Sequence, residues 1–142
     1  MGLDGRAFIV KDTWELPPFY QTDFFITGEP TNGIEIVDDE FWYSNSILVY
    51  RWMKALAHLY TFDKNAPFNN VAIRLIPSTL RSLRHDIRCR WIGRFADKRG
   101  SAYQTYAYFK EHEAEQVLRF CDDGATYLAE HPESAMYYLA DF

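Results

Sequence analysis

Cysteine is scarce: Cys89 and Cys121 are the only two in 142 residues. Two thiols cannot staple a secreted disulfide scaffold, and their separation fits no zinc-finger spacing. A reducing, cytoplasmic compartment is therefore expected. No run approaches the roughly eighteen consecutive apolar residues of a membrane span. The opening "MGLDGRAFIVKD" lacks the apolar core of a secretory signal. Gly2 is followed at position six by Arg, where a myristoylation signal needs Ser or Thr. Internal repeats and low-complexity segments are missing too. So are a glycine-rich phosphate loop, a G-x-S-x-G elbow and a G-x-G-x-x-G turn. "EHEAE" lacks the second His of a metalloprotease helix, and its plain role is an acidic helix start. Nothing in these motifs recommends an enzyme, a cofactor or a metal.

What the chain has in quantity is aromatic surface: ten Tyr, eleven Phe and four Trp, 18% of all residues. Rings at that density imply a large core, with Tyr and Trp left over for surfaces where one end stays wet. Hydrophobic residues make up 48% and charged residues 25%, the balance of a globular protein. The length predicts one domain over residues 1–142.

"RAFIVKD" and "NNVAIRLIP" read as strands, the second stopped by Pro77, and "SAMYYLADF" as a last strand with Tyr137 and Leu139 on one face. "WELPPFYQT" reads as a loop, because Pro17 and Pro18 cannot both sit in a ladder. Asn32-Gly33 is a hairpin signal between "DFFITG" and "GIEIVD", with Ile34, Ile36 and Val37 toward the core. "DDEFWYSNSILVYRWMKALAHLY" predicts one long central helix capped by Asp38 or Asp39, apolar over most of its circumference. Ser78 predicts the cap of a second helix running to Ile92, with Gly93 as its stop. "AYQTYAYF" fits either a strand or a helix. "EHEAEQVLRFCDDGATYLAEHP" predicts a final helix ended by Pro132. The sum is an α+β domain: a mostly antiparallel sheet of four to six strands packed by about three helices.

Charge is unevenly placed. The net charge is −5, yet Arg74 to Gly100 carries eight basic residues against two acids. Five arginines fall between Arg81 and Arg94. Helical spacing puts Leu80, Leu83, Ile87 and Trp91 on the docked face and aims Arg81, Arg84 and Arg88 together on an adjoining one. Three uses compete. Acids of the last helix, such as Glu111, Glu113, Glu115, Asp122 and Asp123, could pair with them; a protein could be gripped, Trp91 and Phe95 lying close by; or phosphate could be read. An acidic remainder opposes a polyanion, so nucleic acid ranks after protein. His85 and Cys89 stand one helical turn apart, but further ligands are not evident and arginines surround them. Asp38, Asp39 and Glu40 form a compact acidic group; helix capping explains them, and they could also imitate phosphates to a basic partner.

The opening "MGLD", followed at once by a strand, resembles a group of small proteins of bacteriophages and some bacteria. The central "FWYSNSILVYRW" and the terminal "AMYYLADF" are loosely similar to that group's middle helix and Tyr-rich tail. The resemblance implies a phage or mobile-element origin, and no catalytic residues carry over. By analogy it implies a protein that blocks a surface of a host complex, for example a bacterial defence complex such as CRISPR-Cas, in the host cytoplasm. The expected function is thus a non-enzymatic binding module. Its expected partner surfaces are the Arg81, Arg84, Arg88 and Arg94 face and the acidic Asp38, Asp39 and Glu40 group. An RNA- or nucleotide-binding domain is the alternative, and an enzyme of unknown chemistry the one after that.

Overall fold

The computed structural model describes residues 3–12, 16–21, 34–61, 68, 71–97 and 104–141. Among these residues five strands pair into one antiparallel sheet: β1 (Asp4–Lys11), β2 (Phe19–Gln21), β3 (Ile36–Ser44), β4 (Val71–Leu75) and β5 (Ser134–Asp141). Their order is β2-β4-β5-β1-β3. Among the described residues four α-helices accompany them: α1 (Ile47–Thr61), α2 (Pro77–Arg88), α3 (Tyr106–His112) and α4 (Ala114–Glu130), with a 3-10 turn at Trp91–Phe95. The α+β architecture is the one that the sequence predicts.

β1 and β5 form the central pair, in register from Asp4↔Asp141 to Lys11↔Ser134. A central strand is covered on both faces, which is why every residue from Ser134 to Ala140 is buried. Ala7, Ile9, Ile73, Leu75, Met136 and Tyr138 enter the main core with the helices. Phe8, Val10, Ala72, Ala135, Tyr137 and Leu139 enter a smaller core on the opposite face, against Leu16, Ile34 and Ile36. The Tyr137 hydroxyl donates to the Pro17 carbonyl, so this buried ring keeps its polar end satisfied.

Several local expectations are corrected. The central helix begins at Ile47, and Asp38, Asp39 and Glu40 lie on β3 and cap nothing. Ser46 is the cap instead: its hydroxyl accepts from the Val49 amide at 3.3 Å. β3 is irregular opposite β1: Ala7 faces Trp42 while Ile9 faces Asp38, so Asp39 to Phe41 bulge opposite Phe8. The bulge breaks strict alternation. Neighbouring Phe41 and Trp42 both pack on α4, Trp42 stacked on Phe120 at 3.9 Å and Phe41 against Tyr127 at 5.3 Å. A run of three aromatics after three acids had read as helix because the bulge removes the period of two. Val37 is exposed, whereas Ile34 and Ile36 do face a core. Asn32-Gly33 and "DFFITG" lie outside the described residues, while β3 pairs with β1 and β2 with β4. Phe19–Gln21 pairs despite the prolines, since Pro18 needs only its carbonyl, which accepts from Arg74 N at 2.7 Å.

The final helix forms from Ala114, three residues later than expected, and Glu111 and His112 belong to the short helix before it. Thr105 caps α3 through the Tyr108 amide at 3.2 Å, which decides the ambiguous "TYAYF" for helix. Glu113, at φ −125° and ψ −34°, then kinks the chain into α4. α4 crosses α2 at Gly124, where an added Cβ would stand 3.0 Å from Leu80 and 3.3 Å from Met136.

Candidate functional site

α2 starts at Pro77, whose fixed φ suits the first helical position; Ile76 precedes it in extended conformation, and Ser78 is not the cap. Leu80, Leu83 and Ile87 are buried as the periodicity requires, and each contributes about 1.5–3 kcal/mol relative to exposure. Trp91 breaks the line. The helix ends at Arg88, Cys89 is its C-cap, and Arg90 takes a left-handed φ of 67°. That residue swings the chain into the 3-10 turn, so Trp91 is 59% exposed while Ile92 is buried in its place.

The turn is anchored from α1. The Arg51 guanidinium donates to the Phe95 carbonyl at 2.7 Å and to Gln104 Oε1 at 2.9 Å. Arg94 lies over two rings, 5.0 Å from the Trp91 centroid and 4.6 Å from Phe95. Its NH2 is 3.9 Å from Asp86 Oδ2. The same oxygen accepts the indole N–H of Trp52 at 2.9 Å. Asp86 thereby ties α1, α2 and the turn together. An open groove of about 310 Å³ runs between α1 and α2, lined by Trp52, Leu56, Leu59, Ser82, Asp86 and Arg94 among others. Leu59, on a helix expected to be apolar over most of its circumference, is 69% exposed and lines this groove.

The predicted site residues separate into four situations. Arg81 and Arg88 are exposed on α2, and no ion pair engages them among the described residues. Arg84 is half-buried and pairs with Asp122 of α4 at 3.0 Å, the one case in which the expected bridge between these helices forms. Arg94 belongs to the turn. Asp38, Asp39 and Glu40 are exposed together on the β3 bulge, where the Glu40 amide donates to Asp38 Oδ1 at 3.0 Å, and among the described residues no ion pair joins them to the arginines. A second open groove, of about 430 Å³, lies between β3 and α4 along Phe41, Trp42, Phe120 and Tyr127.

The sequence reading missed Asp86, Leu59 and the exposure of Trp91. Asp86 had a signal: it is the lone acid among the arginines from Arg81 to Arg94. The other two depend on where helices end. The cysteines also divide. Cys89 is exposed, and Cys121 is buried, its thiol pushed up to about 12 by burial first and by Asp122 next, with Arg84 opposing. Among the described residues no helix is long and apolar enough to cross a membrane. Searches of protein families, curated proteins and solved structures find no match to this chain.

Proposed function

We propose that the protein is a non-enzymatic binding module that docks on a larger protein through the corner built by α1, α2 and the 3-10 turn. The observation that carries this reading is Trp91: more than half exposed, yet clamped under Arg94 on a turn that Arg51 holds in place. Such an aromatic and guanidinium pair has hot-spot chemistry, because the large apolar area is already ordered before binding. Leu56 and Leu59 extend the apolar area into the groove, Arg94 lines it, and Arg81 and Arg88 are exposed on the same helix α2. The favoured partner surface is therefore acidic around an apolar centre. The resemblance of "MGLD" to phage-type proteins extends the proposal to an accessory factor or inhibitor that covers a surface of a host complex, a bacterial defence complex being one example.

Affinity capture from a bacterial lysate, compared between variants, tests it. Wild type is expected to retain a defined protein that Trp91→Ala and Leu59→Ser both lose, while circular dichroism stays unchanged because both side chains are exposed. Capture of the same proteins by wild type and both variants would remove this corner as the interface.

A further inference from the structure

The C-terminal turn of α2 brings together three side chains with metal-binding chemistry. One ligand atom each from His85, Asp86 and Cys89 lies within 4.8 Å of the others. In a tetrahedral Zn²⁺ site with bonds of about 2.0–2.3 Å, ligand atoms stand roughly 3.3–3.8 Å apart. His85 and Cys89 are exposed, so small side-chain rotations close the remaining gap. The sequence alone offers His85 and Cys89; the structure adds Asp86.

We propose that His85, Asp86 and Cys89 form a three-ligand site for a thiophilic divalent cation of the Zn²⁺ class, with water as the fourth ligand. Mixed nitrogen, oxygen and sulfur donors select such a cation over Mg²⁺ or Ca²⁺, which take oxygen. The carboxylate is already oriented. Trp52 and Arg94 both contact Asp86 Oδ2, and Oδ1 has no partner among the described residues. A hydrogen bond on one oxygen that fixes the other is the usual support of a carboxylate ligand. The Cys89 thiol makes only a loose contact, 3.9 Å to the Asp86 carbonyl. On binding, the S–H bond breaks, its proton leaves to solvent, and a sulfur–metal bond forms. Thiolate and carboxylate together then balance the two positive charges. Cys89 is also the C-cap of α2, where the helix dipole favours a cation.

The neighbouring arginines do not cancel this. Arg84 is drawn to Asp122, and Arg94 is held over Trp91 and Phe95. Arg88 and Arg90 are exposed, so their charge acts through high-dielectric water, which weakens its repulsion of a cation.

Titration of the metal-free full chain with Co²⁺ tests the site. The expected result is a thiolate-to-cobalt charge-transfer band that saturates at one equivalent and is displaced by Zn²⁺. Cys89→Ser should abolish the band, and His85→Ala should weaken binding by at least about tenfold, since even outer-shell losses cost 10–100-fold. Cys121 does not compete, being buried. Both substituted positions are exposed, and circular dichroism checks that the variants fold. A wild type without the band, a band that survives Cys89→Ser, or an affinity unmoved by His85→Ala would each overturn the proposal.

Discussion

Gly5 sits where a larger residue does not fit. A Cβ there would stand 2.7 Å from the Tyr138 hydroxyl and 2.8 Å from the Ser44 carbonyl oxygen, both closer than van der Waals contact. The Tyr138 hydroxyl is itself unusual: it is fully buried and has no hydrogen-bond partner among the described residues. Burial drives its pKa far above the ordinary phenol range, with the Tyr50 side chain adding to the effect. Two consequences follow from one contact. Gly5→Ala should destabilise by about 1–3 kcal/mol, the usual cost of overpacking a dense core. Tyr138→Phe should be neutral or slightly stabilising, because it removes a buried polar group that has lost its water and gained no partner. Combined, the two changes should destabilise less than the sum, since the phenylalanine relieves one of the two clashes and the Ser44 carbonyl keeps the other. Denaturant melts of the four proteins measure this cycle, and strict additivity would mean that the hydroxyl does not crowd Gly5. The sequence shows Gly5 only as a break before a strand; the reason for it lies in a tyrosine at the other end of the chain.

Elements were legible where one period ran without interruption. The stripe Leu80, Leu83 and Ile87 placed α2 and its arginines correctly, and the runs from Ala7 to Val10 and from Ala72 to Leu75 gave β1 and β4. Elements were illegible where a single residue breaks the period for tertiary reasons. The bulge at Asp39–Phe41 made a strand look helical, and Glu113 separates the first two residues of the expected final helix, Glu111 and His112, into α3. Arg90 is the sharpest case, the one non-glycine residue with positive φ among the described residues. Nothing about arginine favours that conformation, so the exposure of Trp91 that it creates could not be foreseen. A left-handed residue other than glycine is strained by about 1–2 kcal/mol, and glycine gives back part of that through its looser unfolded chain. Arg90→Gly should therefore stabilise by about 0.5–1 kcal/mol, and Arg90→Val should destabilise, because a β-branched side chain tolerates positive φ least. Thermal melts that rank Val at or above Gly would show that the turn relaxes, and that Trp91 is not held by its backbone. The strain falls beside the exposed tryptophan and the His85, Asp86 and Cys89 cluster, and strained backbone gathers where a structure must aim a side chain.

At the scale of the whole molecule, ion pairing decides what the basic stretch can do. Three of its arginines are engaged internally: Arg74 with Asp12 at 3.1 Å, Arg84 with Asp122 and Arg94 with Asp86. Of the described remainder, Arg81, Arg88 and Arg90 are exposed without ion pairs. The whole chain carries a net charge of −5 even with these three counted, and the bulged edge of β3 presents three acids in a row. Three free cations among the described residues of this face give a nucleic acid little to hold. Counterion release sets the slope of log affinity against log salt at about −0.7 to −0.9 per phosphate neutralised, so this face supports a slope no steeper than about −3. Oligonucleotide anisotropy should accordingly show weak binding that disappears near physiological salt. Arg81→Glu and Arg88→Glu should leave the melting temperature almost unchanged. Arg84→Glu should lower it, because the new carboxylate faces Asp122 across the α2–α4 contact. Tight RNA or DNA binding by wild type, with a steeper slope and lost on reversing Arg81 and Arg88, would instead make this face a phosphate reader. The corner around Trp91 would then be its neighbour and not the principal site.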